Sequence, residues 1–183
     1  MSGNEPWRRT EGVIARGPEI VIVAYDPRWP QMYEAEKARI AATTGDLFVA
    51  FEHVGSSAVE GLAGKPVVDI LAAVRRLEDV ASHAQALVGL GYVQIPFLPG
   101  RLFFLKRGMP ESYNIHVIAA DGFRKEPQLL FRDYLRSHPE DAARYARLKC
   151  EVVERIATYQ EYMPAKAAFI ESILARARAE RGR

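Results

Sequence analysis

The sequence predicts a mixed α+β (α/β) fold in which one sheet is backed by helices and a helical subdomain forms the C-terminal part. Three observations predict this class. β-Branched and apolar runs recur over the first 119 residues, helical segments separate two pairs of them, and the chain after residue 127 has a helical pattern. The length of 183 residues suits one compact domain with its own core.

The composition narrows the class of protein further. Hydrophobic residues make up 49% and charged residues 26%, values that exclude a disordered or fibrous chain. The longest apolar run, at 66–74, is interrupted by Asp69 and is far shorter than the ~20 residues that a membrane span needs. A net charge of +2 does not favour a nucleic-acid partner. The single cysteine, Cys150, excludes disulfide frameworks and thiolate zinc sites.

The N-terminal part of the chain predicts an arm, two strands and a helix. Residues 1–18 mix glycine, proline and charge without a period, so we expect a flexible arm followed by one domain at 19–183. Because the arm lacks the apolar core of a signal peptide, we place the protein in the cytoplasm. The β-branched run at 19–25 predicts the first strand. The Asp-Pro pair at 26–27 then starts a helix, and the apolar run at 47–54 predicts the second strand.

The middle of the chain continues this alternation. Residues 55–65 contain three glycines and predict a loop. The mostly apolar run at 66–74 is typical of a strand that is buried on both faces. Residues 77–90 predict a helix, and Gly91 suits the position that follows a helix C-terminus.

Two more strands precede the helical part. They are predicted at 101–107 and 113–119, with turn residues between them. From about residue 127 the pattern is helical, and the last helix, at 164–178, carries one apolar stripe with which it should pack on the body.

The segment from residue 52 to residue 70 carries the densest chemical signal. Gly55 lets the backbone approach a ligand closely, because it has no Cβ atom. Ser56 and Ser57 add hydroxyl groups, and amides at such a turn can bind phosphate oxygens. Asp69 stands in an apolar strand, where a carboxylate is costly unless it is paired or binds a cation. Mg²⁺ uses one or two carboxylates together with substrate phosphates, so Asp69 is a candidate ligand.

Two familiar motifs do not fit this segment. Residues 61–65 (GLAGK) resemble a phosphate-binding P-loop, but the first glycine is too close to the second. Pro66 also stands where a P-loop needs serine or threonine. Ser56, His53 and Asp69 are the residue types of a serine hydrolase, but the G-x-S-x-G turn between a strand and a helix is missing.

Residues 53–70 (HVGSSAVEGLAGKPVVDI) resemble the signature of the GrpB family of the nucleotidyltransferase superfamily. Stretches at 101–104, 114–117 and 131–136 agree in the same order, and the resemblance spans about 21–174. It implies a nucleotidyltransferase-like sheet, a nucleoside triphosphate as ligand and a small-molecule acceptor. Relatives of this family occur fused to dephospho-CoA kinase, which implies a role near coenzyme A or nucleotide metabolism.

The superfamily motif is an apolar residue, Gly-Ser, about a dozen residues, and then two carboxylates at i and i+2. Gly55, Ser56 and Asp69 match it, but position 71 carries Leu71 where the second carboxylate is expected. Residues i and i+2 of a strand face the same side, so a paired motif can hold two Mg²⁺ ions. The departure leaves open whether nucleotidyl transfer is retained.

Further residues could complete the site. Asn114 and His116 are also i and i+2 on a strand, and His116 could replace the superfamily's third carboxylate as a base or metal ligand. Glu52, next to the turn, could supply a second oxygen ligand or act as the base. Lys65 and Arg101 are candidate phosphate partners.

Three hypotheses follow. In the first, Gly55, Ser56 and Ser57 hold the phosphates of a nucleoside triphosphate, Asp69 and Glu52 hold Mg²⁺ or Mn²⁺, and a nucleotidyl group passes to an acceptor. In the second, the protein is an accessory module that binds a nucleotide or a coenzyme A-related ligand and has lost catalysis. In the third, it is a metal-dependent phosphoesterase.

Overall fold

Most strands of the protein precede residue 120, and three of the five α-helices in the described residues follow residue 126. The computed structural model describes residues 12–96, 98–108 and 112–182. In chain order the elements are β1 (Val13–Arg16), β2 (Val21–Val23), α1 (Trp29–Thr44), β3 (Phe48–Val54), β4 (Val68–Val74), α2 (Ala84–Gly89), β5 (Val93–Ile95), β6 (Leu102–Lys106), β7 (Tyr113–Ala119), α3 (Pro127–Ser137), α4 (Pro139–Arg155) and α5 (Tyr162–Arg181). This order confirms the predicted mixed α+β class.

A five-stranded mixed sheet has the strand order β3-β4-β7-β6-β5. β4 and β7 are parallel neighbours, and the other pairs are antiparallel. The register places Asp69 opposite Asn114 and Leu71 opposite His116. Because side chains alternate along a strand, these four residues lie on the same face of the sheet, which we call the polar face.

The opposite face of the sheet forms the main hydrophobic core. Alternate residues of β4 and β7 point into it and are fully buried against α1, α2 and the turns beside them: Ile70, Ala72, Ile115 and Val117. Trp29 at the start of α1 and Ile40 in its third turn close this core. Burial of side chains of this size is the main favourable term in folding.

The C-terminal helices cover part of the polar face. Leu71, Ala73 and Ile118 pack there against Phe123 and Leu129, a residue of α3. Helix α5 packs on α3 and α4 through Ile173 and neighbouring apolar side chains. The first residues of β4 and β7, including Asp69 and Asn114, lie outside this apolar cluster. None of the helices among the described residues has the length and apolar character that crossing a membrane requires.

Residues 13–16 do not form part of the flexible arm that was predicted for residues 1–18. They form β1, which pairs antiparallel with β2, and this hairpin packs on α4. Gly17 is required in the hairpin turn, because a Cβ atom there would lie 2.2 Å from the carbonyl oxygen of Val153. Residues 1–11 lie outside the described part of the chain, and the boundary at residue 19 stays a prediction.

Two other elements differ from the predictions. The helix predicted at 77–90 begins as 3₁₀ turns over Leu77–His83 and becomes α-helical only at Ala84. The edge strand β5 was not predicted, since three residues are too few to show a period of two.

Candidate functional site

A glycine turn joins the end of β3 to the acidic residue of β4. Gly55 has a φ of +73°, and the chain continues as one 3₁₀ turn over Ser56–Ala58. A Cβ atom at residue 55 would lie 2.5 Å from the Oδ2 atom of Asp69. Only glycine combines this φ with such a close approach, so the turn and the carboxylate are in direct contact.

Asp69 is held by polar neighbours on the polar face. The Nδ2 atom of Asn114 donates a hydrogen bond to Asp69 Oδ1 at 2.5 Å, and the Nε2 atom of His116 lies 3.8 Å from the same oxygen. Burial would raise the pKa of this carboxyl, but His116, Lys65 and Asn114 together hold it below its ordinary value. Because its pKa is lowered, Asp69 is ionised at neutral pH. Its side chain is 23% exposed, so a ligand can reach it.

Three lysines surround the same turn, and we call them the lysine cluster: Lys65, Lys149 and Lys166. Lys149 is 1% exposed, and its ammonium group donates hydrogen bonds to Ser56 Oγ at 2.8 Å and to the carbonyl oxygen of Ala63. Lys65, from the loop before β4, donates to the hydroxyl group of Tyr159 at 2.9 Å. Lys166 is 4% exposed, and no carboxylate or hydrogen-bond acceptor among the described residues pairs with its ammonium group.

The surroundings of the cluster do not keep all three amines protonated at neutral pH. Burial lowers the pKa of Lys149 to about 7 and that of Lys166 to about 6, and the neighbouring charge of Lys65 adds to both shifts. Asp69 is the carboxylate whose charge acts on Lys166, and it raises the pKa of that lysine only in part. An anion bound beside these groups would favour their protonated forms and be stabilised in turn.

Aromatic rings form the walls around the lysines. The Nζ atom of Lys166 lies 3.7 Å from the ring centre of Tyr162, and that of Lys149 lies 4.6 Å from the ring centre of Tyr145. Each pair is spaced i, i+4 on its helix, so one helical turn brings ring and ammonium group together. Sequence reasoning missed Lys149 and Lys166 as site residues, although the repeated Tyr-x-x-x-Lys spacing on consecutive helices was a usable signal.

Three predicted site residues have other partners. Arg101 pairs with Glu126 at 2.6 Å, near the end of β6 that is remote from Asp69. Ser57 is 1% exposed, and its hydroxyl group bonds to the Nε2 atom of the buried His53 at 3.0 Å. Glu52 forms a 2.6 Å ion pair with Arg132 of α3. The structure therefore brings together Gly55, Ser56, Lys65, Asp69, Asn114 and His116, but not Arg101, Ser57 or Glu52.

The residues present do not fit a pair of metal ions. Leu71 occupies the second carboxylate position and is fully buried, and Glu52 is engaged with Arg132. Within the described residues, no group of three or more acidic, histidine or cysteine side chains could hold a metal. Asn114 does present a buried Oδ1 atom that has no hydrogen-bond partner in the described part of the chain. The donor set suits at most one ion on Asp69, completed by substrate phosphates.

A separate cavity of about 580 Å³ lies beside the middle of the loop that joins β3 to β4. It is lined by residues 58–62 of the loop, the end of α3 and the first turns of α4. Neither Ser56 nor Asp69 lines it, so this cavity is distinct from the candidate residues.

The Gly-Ser turn after one strand and the acidic residue on the next strand of a mixed sheet define the class of the protein: a nucleotidyltransferase-like α+β fold. The chain belongs to the GrpB family, because residues 19–176 match the family model described as GrpB protein.

Relatives and a solved structure agree with this assignment. A UPF0157 protein of Halalkalibacterium halodurans is 33% identical over 165 residues, covering 87% of this chain and 83% of the relative. A UPF0157 protein of Pseudomonas aeruginosa is 38% identical over 166 residues, covering 86% of this chain and 67% of the relative. The crystal structure of conserved protein GrpB from Enterococcus faecalis superposes with a TM-score of 0.79 at 28% identity, over 88% of this chain and 99% of that one.

One further relative has a named activity. A dephospho-CoA kinase of Mycobacterium bovis is 26% identical over 171 residues, which cover 78% of this chain but 41% of that protein.

Proposed function

We propose that the protein binds a nucleoside triphosphate at the Gly55–Ser56 turn and transfers its nucleotidyl group to a small-molecule acceptor. One observation carries the proposal: Lys149 bonds to Ser56 with Lys65 and Lys166 close by, and Lys149 and Lys166 are buried without a carboxylate partner among the described residues. Buried ammonium groups are costly unless an anion neutralises them. A triphosphate is an anion of matching charge.

Lys65 and Lys166 of the lysine cluster would bind the phosphates as point charges. The cluster lies in a partly dehydrated setting beside aromatic rings, where charge–charge attraction is stronger than in water. Ser56 and Lys65 lie at the two ends of the loop, so they would contact the triphosphate from the sheet side. Lys166 would contact it from the helical side, and Lys149 would keep its contact with Ser56. This positive charge would do part of the work that a second metal ion does in a two-metal site.

Asp69 and His116 would complete the reacting end of the groove. Asp69 stays ionised at neutral pH, and His116 lies beside it on β7, where its imidazole could take a proton from an acceptor hydroxyl group. A Mg²⁺ or Mn²⁺ ion that arrives with the triphosphate would bind Asp69 and neutralise phosphate charge.

The binding test is calorimetry and thermal unfolding with each of the four nucleoside triphosphates, with and without Mg²⁺. At 100 times its dissociation constant a true ligand should add about 2.7 kcal/mol of stability. Lys166→Met should weaken the binding of that ligand at least about tenfold, because one desolvated charge contact is lost. Lys37→Met, which removes a partly exposed lysine of α1 that pairs with Glu34, is the matched control and should leave affinity unchanged. If no triphosphate stabilises the wild-type protein, the proposal is wrong.

Leu71 supports a second candidate function, that of a binding or accessory module without catalysis. The similarity to a dephospho-CoA kinase makes coenzyme A and its precursors the ligands to add to the panel. The two candidates differ at Asp69. If the protein is a transferase, Asp69→Ala should abolish pyrophosphate release. If it is an accessory module, no pyrophosphate forms even in the wild-type protein, and Asp69→Ala keeps most of the binding.

A further inference from the structure

Ser56 and Lys149 form a hydrogen-bonded pair that phosphate binding alone does not require. The 2.8 Å contact joins the hydroxyl group at the end of β3 to an ammonium group in the middle of α4. Gly64 closes the pair from one side. A Cβ atom there would lie 2.6 Å from the Cβ atom of Ser56 and 3.7 Å from Lys149 Nζ. The glycine therefore allows the serine and the lysine to meet.

The surroundings of Lys149 are those of a base. The side chain is buried, and no described carboxylate pairs with it. Its only acceptors in the described residues are Ser56 Oγ and the Ala63 carbonyl oxygen. The titratable and charged groups that face it are Lys65 in the loop, Tyr145 and Cys150 on α4, and Lys166 on α5. Burial among these groups lowers its pKa to about 7.

The same 2.8 Å contact can form with the neutral amine, with the direction of the hydrogen bond reversed. A neutral lysine keeps two N–H donors and has one lone pair. One N–H can still donate to the Ala63 carbonyl oxygen, while the lone pair accepts the hydroxyl proton of Ser56. A serine whose hydroxyl group bonds to a lysine in this way is an activated nucleophile, and Ser-Lys pairs serve this purpose on unrelated folds.

We propose that Ser56 is a covalent nucleophile, with Lys149 as its general base, and that it carries the nucleotidyl group between the triphosphate and the acceptor. For the identity of its substrate, this inference rests on the proposed function. The route also accounts for Leu71. Without a second carboxylate, the chain lacks the residues with which a two-metal site would activate the acceptor directly.

The reaction has two steps, and each conserves atoms, electron pairs and protons. In the first, Ser56 Oγ forms a bond to the α-phosphorus, the bond from that phosphorus to the bridging oxygen breaks, pyrophosphate leaves, and the hydroxyl proton moves to Lys149 Nζ. In the second, the acceptor hydroxyl oxygen attacks the same phosphorus and gives its proton to His116, while Lys149 returns its proton to the departing Ser56 Oγ. Lys65 and Lys166 stabilise the charge on the phosphate oxygens in both steps.

The experiment traps Ser56 in two independent ways. The protein is incubated without acceptor with the triphosphate that binds best, and separately with a fluorophosphonate probe, and Ser56 modification is measured by peptide mass spectrometry. We expect Ser56 to be modified by both reagents, and Ser56→Ala to abolish both signals. Lys149→Met should slow modification about 100-fold or more, the usual loss on removing a general base. Lys37→Met serves as the lysine control and Ser82→Ala, an exposed serine, as the serine control.

Two further arms separate a base from a merely structural lysine. Lys149→Arg keeps the positive charge but cannot lose its proton, so it should be as slow as Lys149→Met. The wild-type protein carries no substitution that could impair folding. In it, the rate of Ser56 modification should rise with pH to a plateau with a midpoint near 7, because only the neutral amine of Lys149 is a base. Fast labelling of Lys149→Arg, or a rate independent of pH, overturns the inference.

The outcomes also separate this inference from the proposed function. If calorimetry shows triphosphate binding but neither reagent modifies Ser56, the nucleophile is wrong and triphosphate binding stands. If the fluorophosphonate modifies Ser56 in a Lys149-dependent manner but no triphosphate binds, the nucleophile stands and the proposed substrate is wrong.

Discussion

The two faces of the five-stranded sheet are made by the same strands but have different energetics. On β4, Ile70 points into the main core and is fully buried, whereas the neighbouring Asp69 is partly exposed on the polar face. The apolar face packs against α1 and α2, and its few polar side chains have partners: His53 bonds to Ser57, and Lys106 pairs with Glu36 of α1. The polar face instead holds a carboxylate, an imidazole and two nearly buried lysines, whose charges remain only partly neutralised. Stability is therefore concentrated on one face and chemistry on the other.

The largest effect should come from the apolar face. Ile70→Ala removes a fully buried side chain and should lower the free energy of unfolding by about 2–5 kcal/mol. Ligand affinity measured on the folded fraction should stay unchanged, because the side chain points away from the groove. Urea unfolding with calorimetry checks both expectations, and Val49→Ala, at an exposed position of β3, is the control. A loss below 1 kcal/mol would contradict the assignment of this face as the main core.

The polar face should behave in the opposite sense. Lys166→Met replaces a buried amine that has no ion pair among the described residues with an apolar side chain of similar length, and should raise the free energy of unfolding by about 1–4 kcal/mol. The same variant loses ligand affinity, so stability and binding change in opposite directions. Chemical unfolding at pH 6 measures the gain. A destabilised Lys166→Met protein would show that the lysine contributes to folding rather than to a site.

The pH dependence of stability should separate the faces as well. Lys166 has a folded-state pKa of about 6, far below the value it has in the unfolded chain, so the unfolded state binds more protons between those two values. Stability should therefore rise with pH above about 6, with a slope of up to about 1.4 kcal/mol per pH unit from this group. Lys166→Met should flatten the slope, and Ile70→Ala should leave it unchanged. Urea midpoints from pH 6 to 9 provide the measurement.

The smallest effect concerns a residue at the border of the polar face. Glu52→Gln weakens the ion pair with Arg132 and should cost about 1 kcal/mol, since the carboxylate is partly exposed. Triphosphate affinity should change less than twofold if the carboxylate is structural. A tenfold loss of affinity with Mg²⁺, but not without it, would restore Glu52 as a metal ligand.

Local patterns were enough to predict much of this protein. The β-branched and apolar runs predicted β3, β4, β6 and β7 to within about two residues, because a period of two and turn residues are local properties. The glycine turn and Asp69 were also predicted, since an acid in an apolar strand and a Gly-Ser pair are visible without any neighbour. The short β5 and the 3₁₀ start of the 77–90 segment were missed, because packing rather than propensity decides such elements.

Contacts between distant segments depended on folding and could not be read from those patterns. Lys149 meets Ser56 across 93 positions of the chain, and Lys166 lies near Lys149 only because α5 packs back onto α4. Arg101 and Glu52 have the right chemistry for the predicted roles, but the fold gives each an oppositely charged partner. Residue type and local spacing specify which groups are available. Long-range packing decides which of these groups meet and which buried amines have no carboxylate partner. A buried charge is neutralised only by groups that the tertiary fold brings within reach.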